Sequence, residues 1–189
     1  MNAATGVPAT AARAAAAGLR VLAVAAWPES AADRQPPQIA GFVLSSFSPL
    51  AAEAARRCLS RGPAPEPDPG EPPVTAVVMV SPLGDLTGAV HVAEAVDGGG
   101  RVGPLLFFQA VPNAVAGHIA ALWRLTGPVV SVGDTDGGLA VAELLLADGD
   151  ADQALLIRVD QAAVPGGRDR ADAVLLRSGD AADNEGEQW

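Results

Sequence analysis

A chain of 189 residues is long enough for one domain with a buried core, but too short for two full α/β domains. Its formal net charge of −10 and pI near 4.5 disfavour nonspecific binding to nucleic acid or to an anionic membrane, because affinity for phosphate depends on Lys and Arg. A single cysteine excludes an intrachain disulfide framework, and with two histidines it gives no metal-ligand pattern, so no metal or other cofactor is expected.

The first part of the chain starts with alanine-rich sequence. Residues 1–18 predict a flexible tail, with a helical tendency over residues 9–17. Residues 1–26 lack the charged start and cleavage pattern of a signal peptide, so a cytoplasmic protein is expected. The apolar run 19–27 predicts a buried strand, and the shorter run 39–44 predicts another.

A helix and a linker follow these strands. Ser48 belongs to the residue types favoured at an N-cap, and the apolar spacing after it predicts a helix over residues 49–59. Residues 61–73 are rich in proline, which excludes both a helix and an interior strand. They predict a flexible insertion within a single α/β domain that spans residues 19–177.

From residue 74 onward, predicted strands and helices alternate along the chain. This alternation is typical of a largely parallel sheet with helices packed on it. The predicted strands are 74–80, 129–132, 153–159 and 171–177. The predicted helices are 86–96, 113–125 and 138–147, and an acidic tail is predicted over 178–189.

The one cysteine lies in the predicted helix 49–59. Cys58 shares a helical spacing with Leu50 and Ala54, which indicates a small buried hydrophobe. The alternative is a reactive thiol, because the neighbouring Arg56 and Arg57 favour the thiolate.

Two segments resemble a known family. They are residues 107–117 (FFQAVPNAVAG) and residues 127–139 (GPVVSVGDTDGGL). Together they resemble the N-terminal half of β-ketoacyl synthases, over residues 74–164 and more weakly over 39–61. The resemblance implies half of a thiolase-like α/β fold. Within this family, the chain resembles the short ketosynthase-like and chain-length-factor-like proteins of bacterial polyketide and aryl-polyene gene clusters.

The nucleophile of that family is missing from the matching turn. In the family, the strand that follows Gly-Pro runs into a turn with an acyl-accepting cysteine, and counting without gaps from Gly127 places Asp136 there. A carboxylate does not supply the polarisable thiolate that attacks an acyl thioester. The two histidines of the family's second half have no counterpart either, so the resemblance implies a noncatalytic subunit.

The turn itself allows two interpretations. Asp134 and Asp136 flank Thr135 where a strand leads into a helix, so Asp136 or Thr135 is expected to cap that helix. A general base is the alternative, if burial raises the pKa of one carboxyl group. His118, inside the predicted helix 113–125, is a weaker catalytic candidate.

The resemblance also implies a partner surface, because dimerisation in the family buries the faces near this turn and shapes the acyl tunnel. The residues carried over to that surface or to an acyl pocket are Phe107, Phe108, Val111, Pro112, Asn113, Thr135, Asp136, Gly137 and Gly138.

Three functions remain open. The first is a noncatalytic accessory subunit, in a homo- or hetero-oligomer, that binds a ketosynthase or another polyketide synthase subunit. Acyl carrier protein would take part indirectly, because it is acidic like this chain. The second is a thioester decarboxylase or hydrolase that uses Asp136 with Asn113 and His118. The third is a homo-oligomeric protein that binds acyl groups.

Overall fold

Five strands form one sheet in the computed structural model, which describes residues 8–63, 71–164 and 166–179. The strands are β1 (Leu19–Trp27), β2 (Thr75–Val80), β3 (Val129–Val132), β4 (Gln153–Asp160) and β5 (Arg170–Ser178), in the order β1-β5-β4-β2-β3. β2 runs parallel to β3 and β4, whereas β5 runs antiparallel to β1 and β4. The α/β fold class is confirmed, but the sheet is mixed rather than largely parallel.

The direction of β5 follows from the length of the connection before it. Residues 161–169 alone separate β4 from β5. A parallel crossover needs a dozen or more residues, so a connection of this length returns the chain antiparallel beside β4. By contrast, helices lie in the chain between β2 and β3 and between β3 and β4, which allows β3 and β4 each to run parallel to β2.

Helices cover both faces of the sheet. They are α1 (Ala9–Ala16), α2 (Phe47–Arg61), α3 (Leu86–Asp97), α4 (Pro104–Ala110), α5 (Pro112–Trp123) and α6 (Thr135–Ala147). The apolar run of β4 is buried on both sides, because successive side chains of a strand point to opposite faces. Leu155 and Ile157 pack with α2 and α5, whereas Ala154 and Leu156 pack with α1 and α6. Helices α5 and α6 therefore lie on opposite sides of the sheet.

The predicted helical tendency over residues 9–17 is confirmed, because this part of the predicted tail forms α1. Within residues 1–18, α1 packs on the sheet through the buried side chains of Ala11 and Ala14. Small side chains let this helix approach the sheet closely, so its alanines contribute to the core. Residues 1–7 of the predicted tail lie outside the described part of the chain, as do residues 64–70 of the predicted insertion and 180–189 of the predicted acidic tail.

One predicted strand is absent, and one helix was not predicted. Residues 39–44 do not form a strand: Ile39 and Phe42 form an isolated bridge around Gly41, which has a φ of 86°. This segment turns back on itself and buries Phe42 in the core, so it does not extend along a neighbouring strand. Helix α4 was not predicted, since its seven residues are too few to show a helical period; Pro104 at its start is well suited to that position.

Candidate functional site

The turn after β3 carries the residues that match the family's nucleophile position. Asp134 has extended backbone and caps α6, and its Oδ1 accepts a hydrogen bond from the Gly137 amide at 2.8 Å. The predicted caps, Thr135 and Asp136, instead lie in the first helical turn. Of the turn residues predicted to face a partner, Thr135 and Gly138 are buried. Asp136 and Gly137 are the two that a partner can reach.

Asp136 is exposed. Its side chain is 76% accessible and forms a salt bridge with Arg13 of α1. That exposure is unlike the low-dielectric setting that converts a carboxylate into a general base near neutral pH. On this geometry Asp136 joins α6 to α1 at the surface.

Gly138 has a packing role. A Cβ at this position would lie 2.5 Å from Cγ2 of Val80 in β2, closer than real Cβ contacts allow. The glycine therefore lets the start of α6 contact the sheet directly. One of the two glycines in the family-like turn is explained by the fold alone.

The other matched segment lies on the opposite side of the sheet. Asn113, in the first turn of α5, accepts a hydrogen bond from Ser131 Oγ of β3. The His118 ring meets the ring of Phe42 edge-on at 5.7 Å, and Phe42 lies 6.5 Å from the ring of Phe108. With Ala114 and Gly117, these residues line an open groove of about 360 Å³.

Three large apolar side chains, in the groove wall or within two residues of groove residues in the sequence, are open to solvent. Val43 is 70% exposed, Phe108 60% and Val111 51%. Val43 follows the groove residue Phe42, and Val111 is the N-cap of α5, directly before Pro112 at its first position. The side chain of Phe107 lies outside the described structure. We refer to Val43, Phe108 and Val111 as the groove rim.

The structure does not bring the proposed catalytic trio together. Asn113 and His118 line the groove on the α5 side, whereas Asp136 lies beside Arg13 on the α1 and α6 side. The sheet separates the two groups. A mechanism in which Asp136, Asn113 and His118 act on one thioester therefore has no support in this geometry.

Cys58 is a core residue. It is fully buried on α2, where burial raises the pKa of its thiol to about 12, and its Sγ lies 3.5 Å from the Ala23 carbonyl oxygen. The neighbouring Arg56 and Arg57 bind Glu53. The thiol therefore stays protonated near neutral pH, as expected for a small buried hydrophobe.

Sequence reasoning missed a charged cluster between α2 and the turn after β1. Arg57, 15% exposed, donates hydrogen bonds to Asp33, Glu53 and Glu29, and its guanidinium lies 4.7 Å from the centre of the Trp27 ring. The other arginines of this ion cluster are Arg56 and Arg61, which bind Glu53 and Glu29 respectively. The Glu53 to Arg57 spacing is a readable helical pair. The partners from the turn are brought in by tertiary structure.

The ion cluster makes stability sensitive to acid. Each carboxyl pKa is lowered chiefly by an arginine hydrogen bond: Glu29 by Arg61, Asp33 by Arg57 and Glu53 by Arg56. Groups with lowered folded pKa values stabilise the protein fully above their unfolded values near 4, and this stabilisation disappears as pH falls through the folded values. We expect the free energy of unfolding to fall progressively below about pH 5, measured by urea unfolding across pH. A free energy that is flat or rising between about pH 5 and 3 would contradict this role.

A second polar network lies at the carboxyl ends of β2 and β4, which are parallel neighbours. Gln161 directly follows β4, and its Nε2 donates to Ser45, Ser46 and Thr87 at 2.9–3.1 Å. Asp85 caps α3 through the Gly88 amide and also accepts from Ser45. These bonds fix the loop before α2 against the start of α3. The residues of this polar network come from three separate segments of the chain, so their contacts could not be predicted from the sequence.

The described residues contain neither a metal-ligand group nor a membrane-crossing helix. No group of three or more His, Cys, Asp or Glu side chains in this part of the chain is arranged to hold a metal ion. None of the helices placed by the structure has the length and apolar character that a membrane crossing requires.

The fold is the ketosynthase-like, thiolase-like fold, as comparison with solved structures shows. A ketosynthase in complex with its chain length factor from Xenorhabdus doucetiae matches with a TM-score of 0.67 and 19% identity, over 86% of this chain and 79% of that one. The ishigamide ketosynthase/chain length factor matches with a TM-score of 0.60 and 19% identity, over 77% and 47%. A β-ketoacyl synthase from Burkholderia phymatum gives 0.59 and 15%, over 88% and 54%.

The match therefore spans about half the length of two of these three chains. No protein-family model and no curated protein sequence matches the chain. The predicted fold is confirmed at this level of similarity.

Proposed function

We propose that this protein is a noncatalytic accessory subunit that binds a ketosynthase of a polyketide or fatty-acid-like system and helps to shape or stabilise its acyl pocket. The observation that carries the proposal is the exposed groove rim on a ketosynthase-like fold. Phe108 in the groove wall and Val43 and Val111 within two residues of groove residues expose large apolar side chains, which favours a protein partner because exposed apolar surface is costly in water.

The similar structures support this choice of partner. Two of them contain a ketosynthase with a chain length factor, and a third similar structure contains a ketosynthase with its acyl-carrier protein. Asp136 at the family's cysteine position supports a noncatalytic role, because it is exposed and paired with Arg13. The buried, protonated Cys58 does not replace the missing thiolate.

The first experiment is co-expression with each ketosynthase of the source organism, followed by affinity capture and mass determination of the complex. A heteromer of defined mass is the expected result, with no turnover of malonyl or acyl thioesters by this chain alone. A homo-oligomer that turns over thioesters would overturn the proposal. A homo-oligomer that retains lipid without turnover would also overturn it, in favour of acyl binding at the groove.

Phe108→Asp tests the groove rim. We expect the dissociation constant of the heteromer to rise at least about 30-fold, because a buried aromatic anchor contributes about 2 kcal/mol or more at an interface. Leu144→Asp is the matched control: Leu144 is 58% exposed but lies on α6, across the sheet from the groove. We expect less than a threefold change there, with affinities measured by interferometry or calorimetry.

Both side chains are largely exposed, so circular dichroism should show an unchanged fold in each variant. Equal weakening by the two substitutions, or no effect of Phe108→Asp on a heteromer that does form, would place the partner elsewhere.

A further inference from the structure

A small cavity, which shares Phe42 with the groove, lies between the start of α2, the start of α3 and α4. Its walls include the apolar side chains of Phe42 and Leu106 and the polar ones of Ser45, Ser48, Asp85 and Gln109. Its volume is about 10 Å³. This is the scale at which an internal space holds one water molecule and nothing larger.

Gln109 gives the cavity a chemical requirement. The residue is 7% exposed, and its Oε1 has no hydrogen-bond partner among the described residues. A buried amide oxygen without a donor is costly, and native structures rarely leave one unpaired. The cavity therefore needs a hydrogen-bond donor beside Gln109.

None of the other polar walls, Ser48 included, donates a hydrogen bond to Gln109 Oε1. Ser45 Oγ donates its hydrogen to Asp85 Oδ1, which also accepts the Gly88 amide hydrogen. Asp85 is 8% exposed and, as a carboxylate, offers acceptors only. A ligand here must be very small and must donate hydrogen bonds to surrounding oxygens.

We propose that this cavity is a binding site for one structural water molecule, which donates a hydrogen bond to Gln109 Oε1 and uses its remaining bonds on the polar walls. Water meets both requirements, because it fits the volume and carries two donor hydrogens. Independently of the proposed function, the water site would let Gln109 hold α4 in position. Leu106 and Gln109 are buried on α4, and the exposed Phe108 lies on the same short helix.

The first test is a crystal structure of the full chain at a resolution that shows ordered water. Density for one water within hydrogen-bond distance of Gln109 Oε1 is expected. An empty cavity, or a protein donor bonded to Gln109 in its place, would overturn the proposal.

Thermal unfolding of Gln109→Met gives a readout of opposite sign for the two cases. If water binds, methionine removes a satisfied acceptor and Tm should fall by about 2–5 °C. If the oxygen is unpaired, methionine removes a buried unsatisfied group and Tm should rise, which would overturn the proposal. Gln153→Met is the reference, because Gln153 is similarly buried and its Nε2 donates to Thr75 Oγ1 at 2.8 Å. Its Tm should fall. If Gln109→Met does not fold, the crystal structure of the unaltered chain still decides.

Discussion

Arg57→Met is expected to lower the free energy of unfolding by about 2–4 kcal/mol, the range for removing one partner of a largely buried ion cluster that retains some solvent contact. Arg57 joins Asp33 and Glu29 of the turn after β1 to Glu53 of α2, and it covers the ring of Trp27. Methionine keeps most of the apolar stem but removes every one of these hydrogen bonds. Urea unfolding at neutral pH measures the change.

The neighbouring arginine is a matched control for this loss. Arg56 lies on the same helix, but its side chain is 54% exposed and, among the described residues, its ion pair is with Glu53. We expect Arg56→Met to cost less than about 1 kcal/mol, the usual range for an exposed pair. Equal costs for the two substitutions would mean that the cluster does not hold the turn to α2.

Acid unfolding of the same variant separates electrostatics from packing. With Arg57 gone, the hydrogen bonds that chiefly hold the Asp33 pKa low are lost. Fewer protons are then taken up on unfolding in acid, so the free energy of Arg57→Met should depend less steeply on pH below about 5. An unchanged slope would indicate that the loss at neutral pH came from packing against Trp27.

The strands could be predicted from the sequence because each is a mostly apolar run. β1 and β3 have the predicted bounds, and β2, β4 and β5 agree within one residue at each end. β2 is fully buried and β4 and β5 are mostly buried, whereas the edge strands β1 and β3 are only partly buried. In each case apolar composition was enough, without periodicity along the run. Residues 39–44 have the same composition but no adjacent strand, and Gly41 turns them back on themselves. Apolar composition alone does not distinguish these two cases.

The candidate site was less predictable, since it depends on contacts between distant residues. Asn113 and Asp136 lie within two neighbouring family-like segments of the sequence, and His118 directly follows the first of them. In the structure, however, α5 and α6 lie on opposite faces of the sheet. Gln109 Oε1, which has no partner among the described residues, also gave no signal, because most residues that line its cavity are more than twenty positions away in the sequence. The segments that carry the resemblance include glycines required by the fold. For this reason the resemblance predicts the fold well and the chemistry poorly.

Gly127→Ala is expected to destabilise the protein by about 3 kcal/mol or more, or to prevent folding, because the fold leaves no room for a side chain at this position. A Cβ on Gly127 would lie 2.6 Å from Ala76 N and from the carbonyl carbon and oxygen of Thr75. These atoms belong to the backbone of β2, an interior strand of the sheet, so they cannot move aside as a side chain does. Thermal and urea unfolding measure the effect.

Gly117→Ala gives the opposite expectation for the same chemical change. Gly117 lies inside α5, and a Cβ there would meet no atom within 4 Å. Alanine should therefore stabilise the helix by about 0.5–1 kcal/mol, through its higher helix propensity. A destabilised Gly117→Ala, or a Gly127→Ala as stable as the unaltered chain, would contradict the packing described here. If both signs are as expected, the Gly-Pro segment resembles the family because β3 must approach β2 closely, a constraint that applies whether or not a nucleophile follows it.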